Sequence, residues 1–118
     1  MPHVYLGIAH GLKGDSKKAV NAYRKALAIN PNQKLALFNL GTLFYEAGNF
    51  DNAIAYYRRA VEADPALSTG HFALARAYTR KGQLEDATAS LKAGLQFDPE
   101  NRNAGRMFED LQAYLSNQ

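Results

Sequence analysis

Three histidines, two pairs of adjacent acids and one pair of arginines are the side chains of this 118-residue chain with a claim to chemistry. His3 and His10 stand seven residues apart, two turns along one face of a helix. At about 1.5 Å of rise per residue they lie roughly 10 Å apart, too far to share one zinc ion. Glu85-Asp86 and Glu109-Asp110 read as surface pairs or cap partners, and nothing marks them as buried carboxyls tuned for proton transfer. Gly7, Gly11 and Gly14 are irregularly spaced and lack the Gly-Lys-Ser/Thr ending of a phosphate loop. No serine sits in a nucleophile elbow, and there is no cysteine to form a disulfide or a thiolate metal site. Arg76 and Arg80, one helical turn apart, could together hold a carboxylate. The inventory favours binding over catalysis: no enzyme, cofactor or metal is expected.

The elements that must position these residues repeat. Pro31, Pro65 and Pro99 stand 34 residues apart. The same interval relates Gly14, Gly48 and Gly82, then Ala19, Ala53 and Ala87, then Leu6, Leu40 and Leu74. Small residues keep it at Gly7, Gly41 and Ala75 and at Ala26, Ala60 and Gly94; large ones keep it at Tyr23, Tyr57 and Leu91. A fixed period in this range means one supersecondary unit stacked on copies of itself.

The middle unit, residues 34–67, shows what is repeated. Leu37, Leu40, Leu43 and Phe44 make one helical face. Gly48 and Asn49 then interrupt, as a C-terminal glycine and the next N-cap do. Phe50, Ala53, Ile54, Tyr57 and Val61 make a second face, and Asp64-Pro65 ends it, because the residue before proline is pushed out of helical geometry. Helices approach to about 8–10 Å only over short side chains, which gives Gly41, Ala53 and Ala60 a packing role. The spacing predicts helices over 2–13, 16–29, 34–47, 50–63, 68–81, 84–97 and 102–115. The first is the weakest, since Gly7 and Gly11 lie inside it.

These residues resemble the tetratricopeptide repeat (TPR) family, whose 34-residue pattern runs large-x2-Leu-Gly-x2-Tyr, Gly, Ala-x3-aromatic, small, Pro. The middle unit supplies Leu37, Leu40, Gly41, Phe44, Gly48, Ala53, Tyr57, Ala60 and Pro65. The third supplies His71, Leu74, Ala75, Tyr78, Gly82, Ala87, Leu91, Gly94 and Pro99, and the first His3, Leu6, Gly7, His10, Gly14, Ala19, Tyr23, Ala26 and Pro31. Histidine replaces the usual large residue at His3 and His71 and the usual tyrosine at His10, so all three histidines occupy packing positions. The resemblance implies an all-α, right-handed α-solenoid. One domain, 1–118, would hold repeat 1 over about 1–33, repeat 2 over 34–67, repeat 3 over 68–101 and a C-terminal capping helix over 102–118. Met107, Phe108, Leu111, Tyr114 and Leu115 would form the cap's apolar side, since repeat arrays need polar-faced ends for solubility.

Composition sets bounds. The net charge is +3, and Lys17-Lys18, Arg24-Lys25, Arg58-Arg59 and Arg80-Lys81 alternate with acids rather than forming the basic stripe of a nucleic-acid binder. No apolar run approaches the roughly 20 residues of a membrane span. Met1 leads directly into the repeat with no visible signal peptide, so a complete chain is expected in the cytoplasm. The first unit lacks a matching cap, so either the protein continues upstream or something else holds that helix.

In the family, the first helix of each pair lines a concave groove. The resemblance places Tyr5, Leu35, Phe38, Asn39, Thr42, Tyr45, Phe72, Arg76, Thr79 and Arg80 there. The aromatic ones lie off the core stripe, and an apolar patch with a polar rim marks an interaction site. Asn39 can donate and accept at once, which suits a peptide backbone. A partner peptide or helix is therefore expected, bound with affinity on the order of micromolar. One TPR subclass grips chaperone C-terminal tails with two asparagines and three basic residues. Those places hold Val4, Ile8, Asn39, Thr69 and Ala73, so only Asn39 agrees and that partner is not expected. An alternative is self-association, as a homodimer or by swapping the first helix, through an exposed stripe of Val4, Ile8 and Leu12.

Overall fold

The computed structural model describes residues 3–118. Seven helices occupy them: α1 (His3–Leu12), α2 (Ser16–Ile29), α3 (Lys34–Glu46), α4 (Phe50–Ala63), α5 (Ser68–Arg80), α6 (Leu84–Phe97) and α7 (Arg102–Ser116). Most boundaries fall within a residue of those the spacing predicts; the predicted start at residue 2 lies outside the described residues.

The turn inside each pair is built by glycine. Gly14, Gly48 and Gly82 take φ of +78°, +80° and +78°, which a residue without Cβ adopts at no steric cost. In the middle turn the Asn49 N–H donates to the Phe44 carbonyl at 2.8 Å and the Gly48 N–H to the Tyr45 carbonyl at 3.0 Å. This pair of bonds satisfies carbonyls that the helix end leaves open. The next residue starts the following helix: the Asn49 side chain accepts from the Asn52 N–H, and Asp15 from the Lys18 N–H. Between pairs, Asn30, Asp64 and Asp98 leave helical geometry with φ of −137°, −142° and −139°. Lys34 Nζ donates to Asp64 Oδ2 at 2.6 Å and ties the two ends of the middle unit together. That bond, with the Ala66 N–H, holds the Asp64 carboxyl below the usual carboxylate range.

Each helix packs on its sequence neighbours, and α1 also touches α3, as α3 touches α5. The first helices of the pairs therefore line one side together. Successive stacking makes a rod of 49 × 26 × 21 Å. Its radius of gyration, 14.8 Å, exceeds the roughly 13.5 Å of a compact domain of this length.

The small columns do what their size requires. A Cβ on Gly41 would lie 2.8 Å from the Tyr57 ring, and one on Gly7 2.5 Å from the Tyr23 ring. In the third pair Ala75 stands opposite a leucine, Leu91, and both are buried. Val4, Tyr23 and Leu40 anchor the first of three core clusters, Tyr57 and Leu74 the second, and Leu91 the third. Met107, Phe108 and Leu111 of α7 cover that last cluster.

Candidate binding groove

The exposed side of α3 and α5 carries the densest polar-aromatic cluster. Tyr45 sits in the last turn of α3, Arg76 and Arg80 one turn apart on α5, and Phe50 at the start of α4. The Arg76 guanidinium lies 5.2 Å from the Tyr45 ring centre and that of Arg80 5.9 Å from the same ring. Arg80 also lies 4.8 Å from the Phe50 ring, which meets Tyr45 edge-on at 5.2 Å. Cations over aromatic faces are attracted by the ring quadrupole, which fixes two flexible side chains in place. Among the described residues neither arginine pairs with an acid, and both are exposed.

Behind the cluster lies a hydroxyl pair. Thr42 Oγ1 and the Tyr57 hydroxyl are 2.9 Å apart, and Phe38 meets the Tyr57 ring at 5.5 Å. Burial raises the Tyr57 pKa, against the opposing pull of the Thr42 hydrogen bond and the Arg76 charge. The phenol therefore stays neutral and serves packing.

The predicted groove residues separate on this geometry. Tyr45, Arg76 and Arg80 come together. Asn39 is half-buried and its amide bonds to no other described side chain, so it is available to a ligand. Thr42 and Thr79 donate to carbonyls of their own helices, at Phe38 and Ala75, so their protons are committed. Tyr5 and Leu35 are exposed, 59% and 42%. Leu35, ten residues before Tyr45, is about 15 Å away along α3.

Two expectations need correction. Phe72 is half-buried and packs inward: a Cβ on Gly94 would strike its ring, so the glycine exists to admit it. Phe72 joins the Leu91 and Ala104 cluster and is a support of the groove wall. Val4 does not belong to an exposed stripe. It is 5% exposed, in the core with Ala19, Tyr23 and Ala26, and Ile8 packs against that cluster. Val4, Phe38 and Phe72 share one repeat position, and the column turns toward the second helix of its pair. Of the three stripe residues only Leu12, 85% exposed, faces solvent.

The histidines have structural surroundings. His71 Nε2 lies 2.8 Å from the Pro65 carbonyl, and its ring stacks on Phe97. His3 and His10 line a small cavity with Lys18 and Lys25, and two cations there disfavour a metal ion. Phe50 was not singled out by the sequence as part of the groove. The signal was present: one period away stand Ser16 and Leu84, so the ring is particular to the middle unit.

Two family models described as tetratricopeptide repeat match the chain, over residues 6–68 and 44–108. The chain belongs to the tetratricopeptide repeat family. The solenoid of helix pairs is thus a TPR array. No curated protein matches the sequence. Among solved structures, a mutant O-GlcNAc transferase from Thermobaculum terrenum is 28% identical with a TM-score of 0.80, over 92% of this chain. The alignment takes in 21% of that enzyme's length, so this TPR chain spans about a fifth of it. The first TPR of Spaghetti (RPAP3), bound to the HSP90 peptide SRMEEVD, is 18% identical with a TM-score of 0.86, covering 98% of this chain and 96% of that one. A crystal structure of MamA is 21% identical with a TM-score of 0.87, covering 96% and 62%. The last two likenesses speak for the TPR fold alone.

Proposed function

We propose that this TPR array is a non-catalytic protein-interaction scaffold that holds an acidic peptide segment in the groove between α3 and α5. The observation that carries the reading is the Tyr45 ring beneath two exposed guanidinium groups that form no ion pair among the described residues. Arginines already fixed by an aromatic ring lose less freedom when they grip a carboxylate. Asn39, on the same helix as Tyr45, offers donor and acceptor to the peptide backbone. Glu46, exposed beside Tyr45, sets a limit: the ligand's acids must sit on the α5 side.

Relatives support binding of peptides as such, since RPAP3 is seen with an HSP90 peptide. The tail-gripping clamp is not carried over: Val4 is buried and Ile8, Thr69 and Ala73 are uncharged.

The test is a degenerate seven-residue peptide array probed with wild type, Arg76→Glu/Arg80→Glu and Tyr45→Ala. Wild type should retain Asp- and Glu-rich peptides with dissociation constants on the order of micromolar, weakening with added salt. The charge reversal should abolish retention while thermal melting is unchanged, both arginines being exposed. Equal retention by wild type and the double variant would sink the reading. Phe72→Ala is unsuitable for this purpose, because the ring is packed and its loss destabilises the fold.

A further inference from the structure

The joints between helix pairs are built on one plan but closed differently. At the α4–α5 joint the Phe50 ring fills the crevice between Tyr45 and Arg80, and Lys81 Nζ bridges to Asp51 at 2.7 Å across it. One period earlier, at the α2–α3 joint, the residues in those places are Ser16 for Phe50, Lys17 for Asp51 and Ala47 for Lys81. The ring is missing and the bridge cannot form. Gly11 and Glu46 replace Tyr45 and Arg80. The result is an open crevice of about 600 Å³, lined by the half-buried Val20, Leu43 and Phe44 and by the exposed Ser16, Lys17, Arg24 and Glu46. Such a volume is that of a ligand site and holds a ring with its flanking backbone. Among the described residues Lys17 and Arg24 form no ion pair, whereas Lys18 is held by Asp15.

We propose that the α2–α3 crevice takes an aromatic side chain that a partner peptide presents beside a carboxylate. The chemistry of the occupant is set by what the chain itself supplies at the next joint, Phe50 followed by Asp51. An incoming ring occupies the place that Ser16 leaves empty, against Val20 and Phe44. The adjacent carboxylate meets Lys17, with Arg24 two turns further along α2, and Glu46 of α3, which also lines the crevice, sets its direction. The site shares only Glu46 with the face that α3 presents to the groove, so it does not depend on Arg76 or Arg80.

The probe is the acetylated, amidated peptide Gly-Asp-Phe-Asp-Gly, with its Phe-to-Ala counterpart as control, titrated into the full ¹⁵N-labelled chain. The amides of Ser16, Val20, Phe44 and Ala47 should shift with the aromatic peptide, and the alanine peptide should bind about tenfold more weakly or worse, the scale of burying one ring. Ser16→Phe, which rebuilds the closed joint, should abolish those shifts. Lys17→Glu, at an exposed site that cannot disturb the core, should weaken binding about tenfold and keeps the test decisive if Ser16→Phe fails to fold. The proposal is overturned by no shifts at these amides, by undiminished shifts in both variants, or by shifts confined to residues around Arg76 and Arg80. Shifts that grow with protein concentration in the absence of peptide would also overturn it, by naming a second copy as the occupant. The arginine variant of the groove test leaves this site intact, so the two readings fail separately.

Discussion

A single atom governs the contact between the helices of each pair. Gly41 lets the Tyr57 ring lie where a Cβ would otherwise be, 2.8 Å away. Tyr57 cannot move aside freely, because its hydroxyl is tied to Thr42 and its ring to Phe38. Gly41→Ala should therefore destabilise by about 1–3 kcal/mol, although alanine is the better helix former by about 0.8–1.0 kcal/mol. The third pair shows the compensated state, with Ala75 facing Leu91. Adding Tyr57→Leu to Gly41→Ala should recover part of the loss, and a double-mutant cycle in urea should give a favourable coupling between the two sites. Additive effects would mean the ring does not fill the glycine's space. The small columns were legible in the sequence as contact positions. What was not legible is which large residue each one admits. Phe72 read as a groove residue because its spacing leaves the core stripe, yet Gly94 opens a place for it on α6. Val4 was misplaced for the same reason: a wide helix contact buries more than one stripe, and the extra column turns inward across the pair.

At the scale of the element, the helices were almost wholly legible, since period, glycine and proline mark every turn. The caps show where sequence and structure diverge. Asp15 and Asn49 cap α2 and α4, but Gln83, in the same place before α6, makes no capping bond. A glutamine can reach, since Gln33 before α3 accepts from the Leu35 and Ala36 N–H groups, but the Gln83 side chain turns elsewhere and leaves the first turn of α6 open. Gln83→Asn should add about 1 kcal/mol of stability, read as a higher urea midpoint at unchanged slope, while Gln83→Ala should change little. Leu67 also lacks a capping bond, but its side chain packs within 3.1 Å of where a Gly70 Cβ would stand. A polar residue there would exchange packing for a cap, so no gain is expected. Sequence spacing identifies the cap position in both cases; only the contacts distinguish the vacancy from the trade. The open α2–α3 crevice belongs to this scale too. It was legible as Ser16 standing where the next two units carry Phe50 and Leu84, but a missing ring has no meaning until the filled joint is seen beside it.

For the whole molecule, stacking along one axis makes stability a sum over neighbouring units. The first unit is the weak one. α1 carries two interior glycines and packs chiefly on α2, with a smaller contact to α3. The glycines are not equivalent. A Cβ on Gly7 would strike the Tyr23 ring, whereas Gly11 has nothing within 4 Å. Gly7→Ala should therefore weaken the unit, while Gly11→Ala should strengthen α1 by about 0.8–1.0 kcal/mol. If units open separately, Gly11→Ala slows amide hydrogen exchange about four- to fivefold in α1 and α2 and leaves α4 to α6 unchanged. If the array opens as one body, protection rises equally in all seven helices. The first outcome has a functional consequence. The groove cluster of Tyr45, Arg76 and Arg80 lies on the second and third units, so it keeps its geometry while the first unit opens. The α2–α3 crevice spans the first joint and would vanish with each opening. Occupation of that crevice should then protect α1 and α2 from exchange, while an acidic peptide held at the arginines should protect α3 and α5.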